Sequence, residues 1–242
     1  MPDHEARSAP RRHRRSPVTP AQAARAVLAM IVAVVAVGCG TTTEDPAAGS
    51  PADSLGKDGL QEMKGDEQTA VKAVDAFWSR HFPEELGRQY RSPQVYGRYR
   101  GTDGPPCAGE PSVPFNAFYC RPGDFLAWDE DLMAAGYSQI GDAWVYLIIA
   151  HEWGHAIQAR MGADRVSVQA ELQADCLAGA ALQGAAQDGV IAFEPGDSEE
   201  LAQTLAAVAD DYPWTNESDH GNAQERTSAF NTGTSGGVGA CI

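Results

Sequence analysis

The stretch Trp144-Val145-Tyr146-Leu147-Ile148-Ile149-Ala150-His151-Glu152-Trp153-Gly154-His155 decides how this chain reads. Its first seven residues are apolar without a break, as in a buried helix, and Gly162 supplies a stop, so the pattern predicts a helix over 141–161. On that helix His151 and His155 lie about one turn apart and face the same side, where both rings can reach one ion. Glu152 is carried beside them. Gly154 weakens a helix interior by about 1 kcal/mol relative to Ala, which is tolerable where another backbone or a substrate must come close.

Two imidazoles alone could equally hydrogen-bond in a core. A catalytic zinc takes three protein ligands and keeps one position open, so a third ligand is the deciding feature. Glu171-Leu172-Gln173-Ala174-Asp175 offers it: two carboxylates four residues apart, on one face of a second predicted helix over 166–187 that Gly189 stops. The turn over 162–165 lets the two helices pack as neighbours. Glu171 then completes the ligand set, and Asp175 one turn later accepts the free ring N–H of a ligating His, fixing its tautomer. The rest of this helix is Ala, Leu and Gln, a core-facing composition rather than a salt-bridged one. The expectation is one Zn2+ per chain on His151, His155 and Glu171, with Glu152 as general base acting on water.

Outward from these helices the signals weaken. Val71, Val74, Phe77 and Trp78 recur at helical spacing, predicting an amphipathic helix from Glu67 to about Phe82, closed by Pro83. His81, near its end, reads as a solvated or capping side chain. Residues 90–131 are rich in Gly and Pro, with short candidate strands at 115–119 and 124–128. A further helix is entered by Asp197 with Glu200 completing a capping box. From Asp210 onward the chain is polar, and Gly233, Gly236, Gly237 and Gly239 argue against a regular element near its end. The fold class expected is mainly α, with α+β as the alternative: one domain over 67–242 with a helical core and irregular, disulfide-stapled loops.

The N-terminal region carries a different message. Arg11, Arg12, Arg14 and Arg15 precede 13 apolar residues, Ala26 to Gly38, too few for the roughly 20 that span a bilayer but matching the apolar part of a signal peptide. Ala36-Val37-Gly38-Cys39 resembles a bacterial lipobox, with Ala36 in place of the usual Leu, so Cys39 is the expected lipidation site. Residues 1–38 then form a lipoprotein-type signal peptide and 39–66, rich in Gly, Pro, Ser, Thr and Asp, a flexible tether. An uncleaved anchor or an ordinary signal peptide is the alternative, and each places the domain outside the cytoplasm, at the bacterial cell surface.

Beyond Gly38 the chain carries 12 basic and 31 acidic residues. That balance repels nucleic acid and anionic headgroups, which depend on Lys and Arg, and it favours solubility or cationic substrates. Cys107, Cys120, Cys176 and Cys241 remain as an even number in a compartment where disulfides persist, with three pairings possible. The Pro- and Gly-containing loop between Cys107 and Cys120 favours that pair, leaving Cys176 to fasten Cys241. Four free thiols are the alternative.

Ala150-His151-Glu152-Trp153-Gly154-His155, Glu171-Leu172-Gln173-Ala174-Asp175-Cys176, Phe118-Tyr119-Cys120, and His220-Gly221 followed by Arg226 and Phe230 together resemble the bacterial neutral zinc metallopeptidase family. The resemblance runs over about 67–242. It implies a zincin-like fold of the gluzincin type, Glu171 as third ligand, and a peptidase, most simply a metalloendopeptidase, acting on peptide or protein substrates. Trp153 and Ala156 depart from the family's usual Tyr and His. By residue type and by the resemblance, His220 is the candidate for a second electrophile at the substrate carbonyl, while Arg226 could bind a substrate carboxylate or hold structure. The competing reading is a lipid-anchored binding or structural module whose metal site is non-catalytic, and an open coordination position beside a cleft separates the two.

Overall fold

A computed structural model describes residues 49–162, 167–210 and 220–242. The expected signal peptide, the lipidation site Cys39 and the first part of the tether lie outside these residues. In chain order the elements are α1 (Pro51–Ser54), α2 (Gly56–Leu86), β1 (Gln94–Tyr99), β2 (Ala117–Cys120), β3 (Phe125–Asp129), α3 (Glu130–Gln139), α4 (Ala143–Met161), α5 (Val168–Gln187), α6 (Asp197–Ala207), α7 (Ala223–Gly236) and a 3-10 turn at Val238–Ala240. The fold is mainly helical, with one small sheet ordered β1-β3-β2, in which β1 runs parallel and β2 antiparallel to β3.

The two helices read from the motifs form where their end signals put them. Gly162 closes α4 in the left-handed conformation at φ 84°, and Ser167 caps α5 by accepting the Ala170 N–H. The apolar run of α4 is buried except at the half-buried Tyr146: Trp144, Val145, Leu147, Ile148, Ile149 and Ala150 all belong to the core, packed against α2 and α5. The two strand candidates are present, displaced by one or two residues.

Five expectations need correction. The tether reading fails over its second half, because α2 starts at Gly56 and the segment before it is held by Ser50 capping Asp53 and by the Ala52 N–H donating to Asp131. The buried stripe Met63, Glu67, Ala70, Val74 and Phe77 keeps the 4-3-4-3 spacing of a helix face, but Glu67 interrupts its apolar character. That carboxylate can be buried because Arg98 of β1 pairs with it. Pro83 sits inside the final turn instead of ending the helix, and Gly87 terminates it at φ 62° by donating to the Pro83 carbonyl.

Glu200 makes no capping box for α6. Gly196 is the cap residue there, and the Glu200 carboxylate instead accepts the Ala143 N–H at the start of α4. His81 is neither solvated nor a cap, since its Nε2 lies 2.8 Å from Asp188 Oδ2 and ties the end of α2 to the end of α5. Finally, α7 occupies the polar C-terminal segment, entered through a capping box of Asn222 and Glu225. Gly233 of α7 is a packing contact, as is Gly179 of α5: a Cβ on Gly233 would fall 1.8 Å from the Cys176 carbonyl oxygen, and one on Gly179 would fall 2.2 Å from that of Phe230.

Both expected disulfides are formed. Cys107–Cys120 closes the irregular loop before β2, and Cys176–Cys241 fastens the chain end to α5. The α5–α7 pairing is therefore fixed by a glycine contact and a covalent link together. Gly233→Ala should destabilise the fold by about 1–3 kcal/mol through overpacking, lowering the melting midpoint in a thermal circular-dichroism scan. Gly65→Ala, on α2 with nothing within 4 Å of the added methyl, should instead stabilise it by about 0.5–1 kcal/mol. Equal shifts for the two variants would contradict the close approach.

Candidate metal centre

α4 and α5 cross where Gly154 faces Ala174. A Cβ at Gly154 would lie 2.8 Å from the Ala174 carbonyl oxygen and 2.9 Å from its Cα, so the close backbone approach anticipated for this glycine is present. One turn before the crossing stands His151, and one residue after it His155. Both face Glu171 on the first turn of α5. The His151 Nε2 is 3.2 Å from Glu171 Oε2, the His155 Nε2 is 3.5 Å from Glu171 Oε1, and the three side chains offer ligand atoms within 4.8 Å of one another. The two rings stand perpendicular, with centroids 4.8 Å apart.

Each imidazole is oriented through its other nitrogen. His151 Nδ1 is 2.8 Å from Asp175 Oδ1, the contact expected of Asp175. His155 Nδ1 is 2.9 Å from the Gln158 carboxamide oxygen, and the Gln158 amide in turn donates to the Ala170 carbonyl at 2.5 Å and to Gln173 at 3.2 Å. Gln158 escaped the sequence reading although it lies three residues after His155, the spacing at which helix side chains meet. With Nδ1 engaged on both rings, both Nε2 atoms are left to converge on Glu171. Glu171 Oε2 is buried, with the His151 Nε2 3.2 Å away. A buried carboxylate whose two oxygens each face one imidazole Nε2 is a donor set that fits a zinc ion.

The charges agree with this. Burial alone would raise the Glu171 carboxyl and depress both rings. The two imidazoles nevertheless hold Glu171 well below the usual carboxylate range, and the Asp175 charge, with hydrogen bonds to Asp175 and Glu171, pushes His151 up to about 10. His155 is raised as well, with Glu171 outweighing the burial of the ring.

Glu152 is only 8% exposed, on the helix that carries both histidines. The Tyr99 hydroxyl, at the end of β1, is pushed up to about 12 by burial and then by the charges of Asp129 and Glu152. Trp153 points elsewhere and donates its indole N–H to Tyr90.

His220 stands at the edge of the group. Its side chain is 54% exposed and its Nε2 lies 3.9 Å from Glu171 Oε2, while Asp210 accepts its backbone N–H at 2.6 Å. The structure settles the open choice for Arg226: this side chain is 2% exposed, and its Nε and Nη2 donate to the two oxygens of Asp175, each at 2.8 Å. It holds structure next to the histidines and is not available to bind a substrate carboxylate.

Comparison with known proteins agrees with the site. The E. coli strain K12 "Uncharacterized protein YpfJ" is 31% identical over 188 residues, which are 66% of this chain and 63% of that protein. Its counterpart in E. coli O6:H1 shows the same identity and coverage, so the chain spans a little under two thirds of the length of these relatives. No solved structure matches the chain. The sequence pattern of the family described as "Putative neutral zinc metallopeptidase" matches residues 22–241, which take in both motif helices and every residue of the histidine and carboxylate cluster. The chain belongs to that neutral zinc metallopeptidase family.

Proposed function

We propose that this protein is a zinc-dependent endopeptidase, secreted and held at the bacterial membrane by lipid on Cys39, with one zinc per chain on His151, His155 and Glu171. The observation that carries the reading is the convergence of the His151 and His155 Nε2 atoms on the two oxygens of one buried carboxylate, Glu171, with ligand atoms of all three within 4.8 Å of one another. A closed structural site would call on a fourth protein ligand, commonly Cys. Cys107, Cys120, Cys176 and Cys241 are all committed to disulfides, which favours an open site and an enzyme over a purely structural one.

Zinc, when bound there, supplies a Lewis acid that lowers the pKa of water and polarises a peptide carbonyl. The remaining chemistry belongs to the chain. Glu152 takes a proton from the attacking water and returns it to the leaving amine. Asp175 and Gln158 keep Nδ1 of the two rings occupied, so that each Nε2 stays turned inward. His220, exposed at the rim, donates toward the oxygen on which charge develops. The acidic surface suits peptides that carry basic residues and is unsuited to nucleic acid. The anchor assignment rests on residues 1–39 as read above.

Glu152→Gln should keep zinc and lower hydrolysis of a denatured generic protein by about 10²- to 10⁴-fold. His155→Ala should lose the metal together with activity, as measured by elemental analysis. Undiminished hydrolysis in either variant would overturn the assignment. Because His151 and His155 are raised in the metal-free state, zinc must displace protons at neutral pH, and its affinity should fall as pH falls. Calorimetric titrations at pH 7 in two buffers of different ionisation heat should report more than one proton released per zinc. Identical heats in the two buffers would contradict the protonated resting site.

A further inference from the structure

Arg226 enters the metal centre from a part of the chain far from either motif. It projects from the first turn of α7, and all three guanidinium nitrogens have partners. Nε donates to Asp175 Oδ2 and Nη2 to Asp175 Oδ1, both at 2.8 Å, and Nη1 donates to the Val208 carbonyl at 2.5 Å at the end of α6. Asp175 is fully buried. Its Oδ1 therefore receives two donors, the Arg226 Nη2 and the His151 Nδ1, while its Oδ2 is occupied by Arg226 alone.

We propose that Arg226 is a positioning residue of the metal centre, whose planar fork locks the Asp175 carboxylate in the one orientation that turns His151 Nε2 toward Glu171. A carboxylate that bonded only His151 could rotate about its Cβ–Cγ bond and offer either oxygen over a range of angles. Two parallel N–H donors at fixed separation remove that freedom, which a point charge would not do. The ring plane of His151 is then set before metal arrives. The anchoring of α7 matters for the same reason: Gly233 against the Cys176 carbonyl, and the Cys176–Cys241 link one residue from Asp175, hold the guanidinium at the depth of the carboxylate. A buried ion pair is weak evidence for stability as such, so fixing a ligand is the better account of its retention.

The inference rests on the reading that His151, His155 and Glu171 hold zinc. The test uses the full chain with both disulfides intact and two metals as probes: zinc affinity by chelator competition, and the visible absorption of the cobalt-loaded protein. Arg226→Gln should weaken zinc binding by about 10- to 100-fold and change the cobalt spectrum. Arg226→Lys keeps the charge without the fork and should recover only part of the loss. It becomes the deciding variant if Arg226→Gln does not fold. Phe230→Ala, which removes a buried α7 side chain one turn beyond Arg226, should lower thermal stability while leaving zinc affinity and the cobalt spectrum unchanged.

Wild-type affinity and spectrum in both Arg226 variants would overturn the positioning role, as would a loss that Phe230→Ala reproduces. If wild-type protein takes up no zinc, the metallopeptidase site itself fails and this inference fails with it. Zinc bound by wild type and both Arg226 variants alike overturns this inference alone.

Discussion

The metal centre depends on how near two helix backbones can come at one point. Where α4 meets α5, Gly154 leaves room for Ala174, and any side chain at 154 would meet the Ala174 carbonyl and Cα within 3 Å. This contact sets the span between the two His Nε2 atoms and the Glu171 carboxylate. A methyl placed 2.8 Å from the Ala174 carbonyl oxygen would have to move by about half an ångström or more to reach ordinary contact, beyond the roughly 0.2 Å tolerance of a metal–ligand bond. The local weakening of α4 by a glycine is thus tied to the geometry that its neighbours need.

Around that crossing, the polar groups are arranged in tiers outward from the metal-facing nitrogens. His151 is oriented by Asp175, and Asp175 by Arg226. His155 is oriented by Gln158, and Gln158 by the Ala170 carbonyl and Gln173. The inner tier comes from α4 and α5, which adjoin in sequence. The outer tier recruits α7, and through it the end of α6 and the C-terminal disulfide. The histidine and carboxylate cluster is thus braced by elements that contribute none of its three members.

The buried charges follow the same logic. Glu67, Asp175, Glu171 and Arg226 are all withdrawn from water, which is unfavourable unless partners are supplied. Glu67 and Asp175 each have an arginine from a distant part of the chain, Arg98 and Arg226 respectively. Glu171 faces imidazoles instead, those of His151 and His155 with His220 at the rim. Imidazoles, unlike guanidinium groups, can themselves ligate zinc, which agrees with membership in a zinc metallopeptidase family.

The sequence by itself determined the features that are local along the chain. Helical periodicity and end signals placed α4 and α5, and fixed spacings of four residues put His151 with His155, and Glu171 with Asp175, on common faces. Loop composition indicated the disulfide pairs. Only the tertiary structure decided what distant segments contribute. Glu67 concealed a buried stripe, because its partner Arg98 is 31 residues away and no periodicity scan couples them. Gly233 of α7 looked like a breaker until α5 lay against it, and Arg226 acquired its place only when α7 packed beside Asp175, 51 residues earlier. Local spacing is written in the geometry of one helix, whereas a buried polar group is tolerable only with a partner that folding alone brings to it.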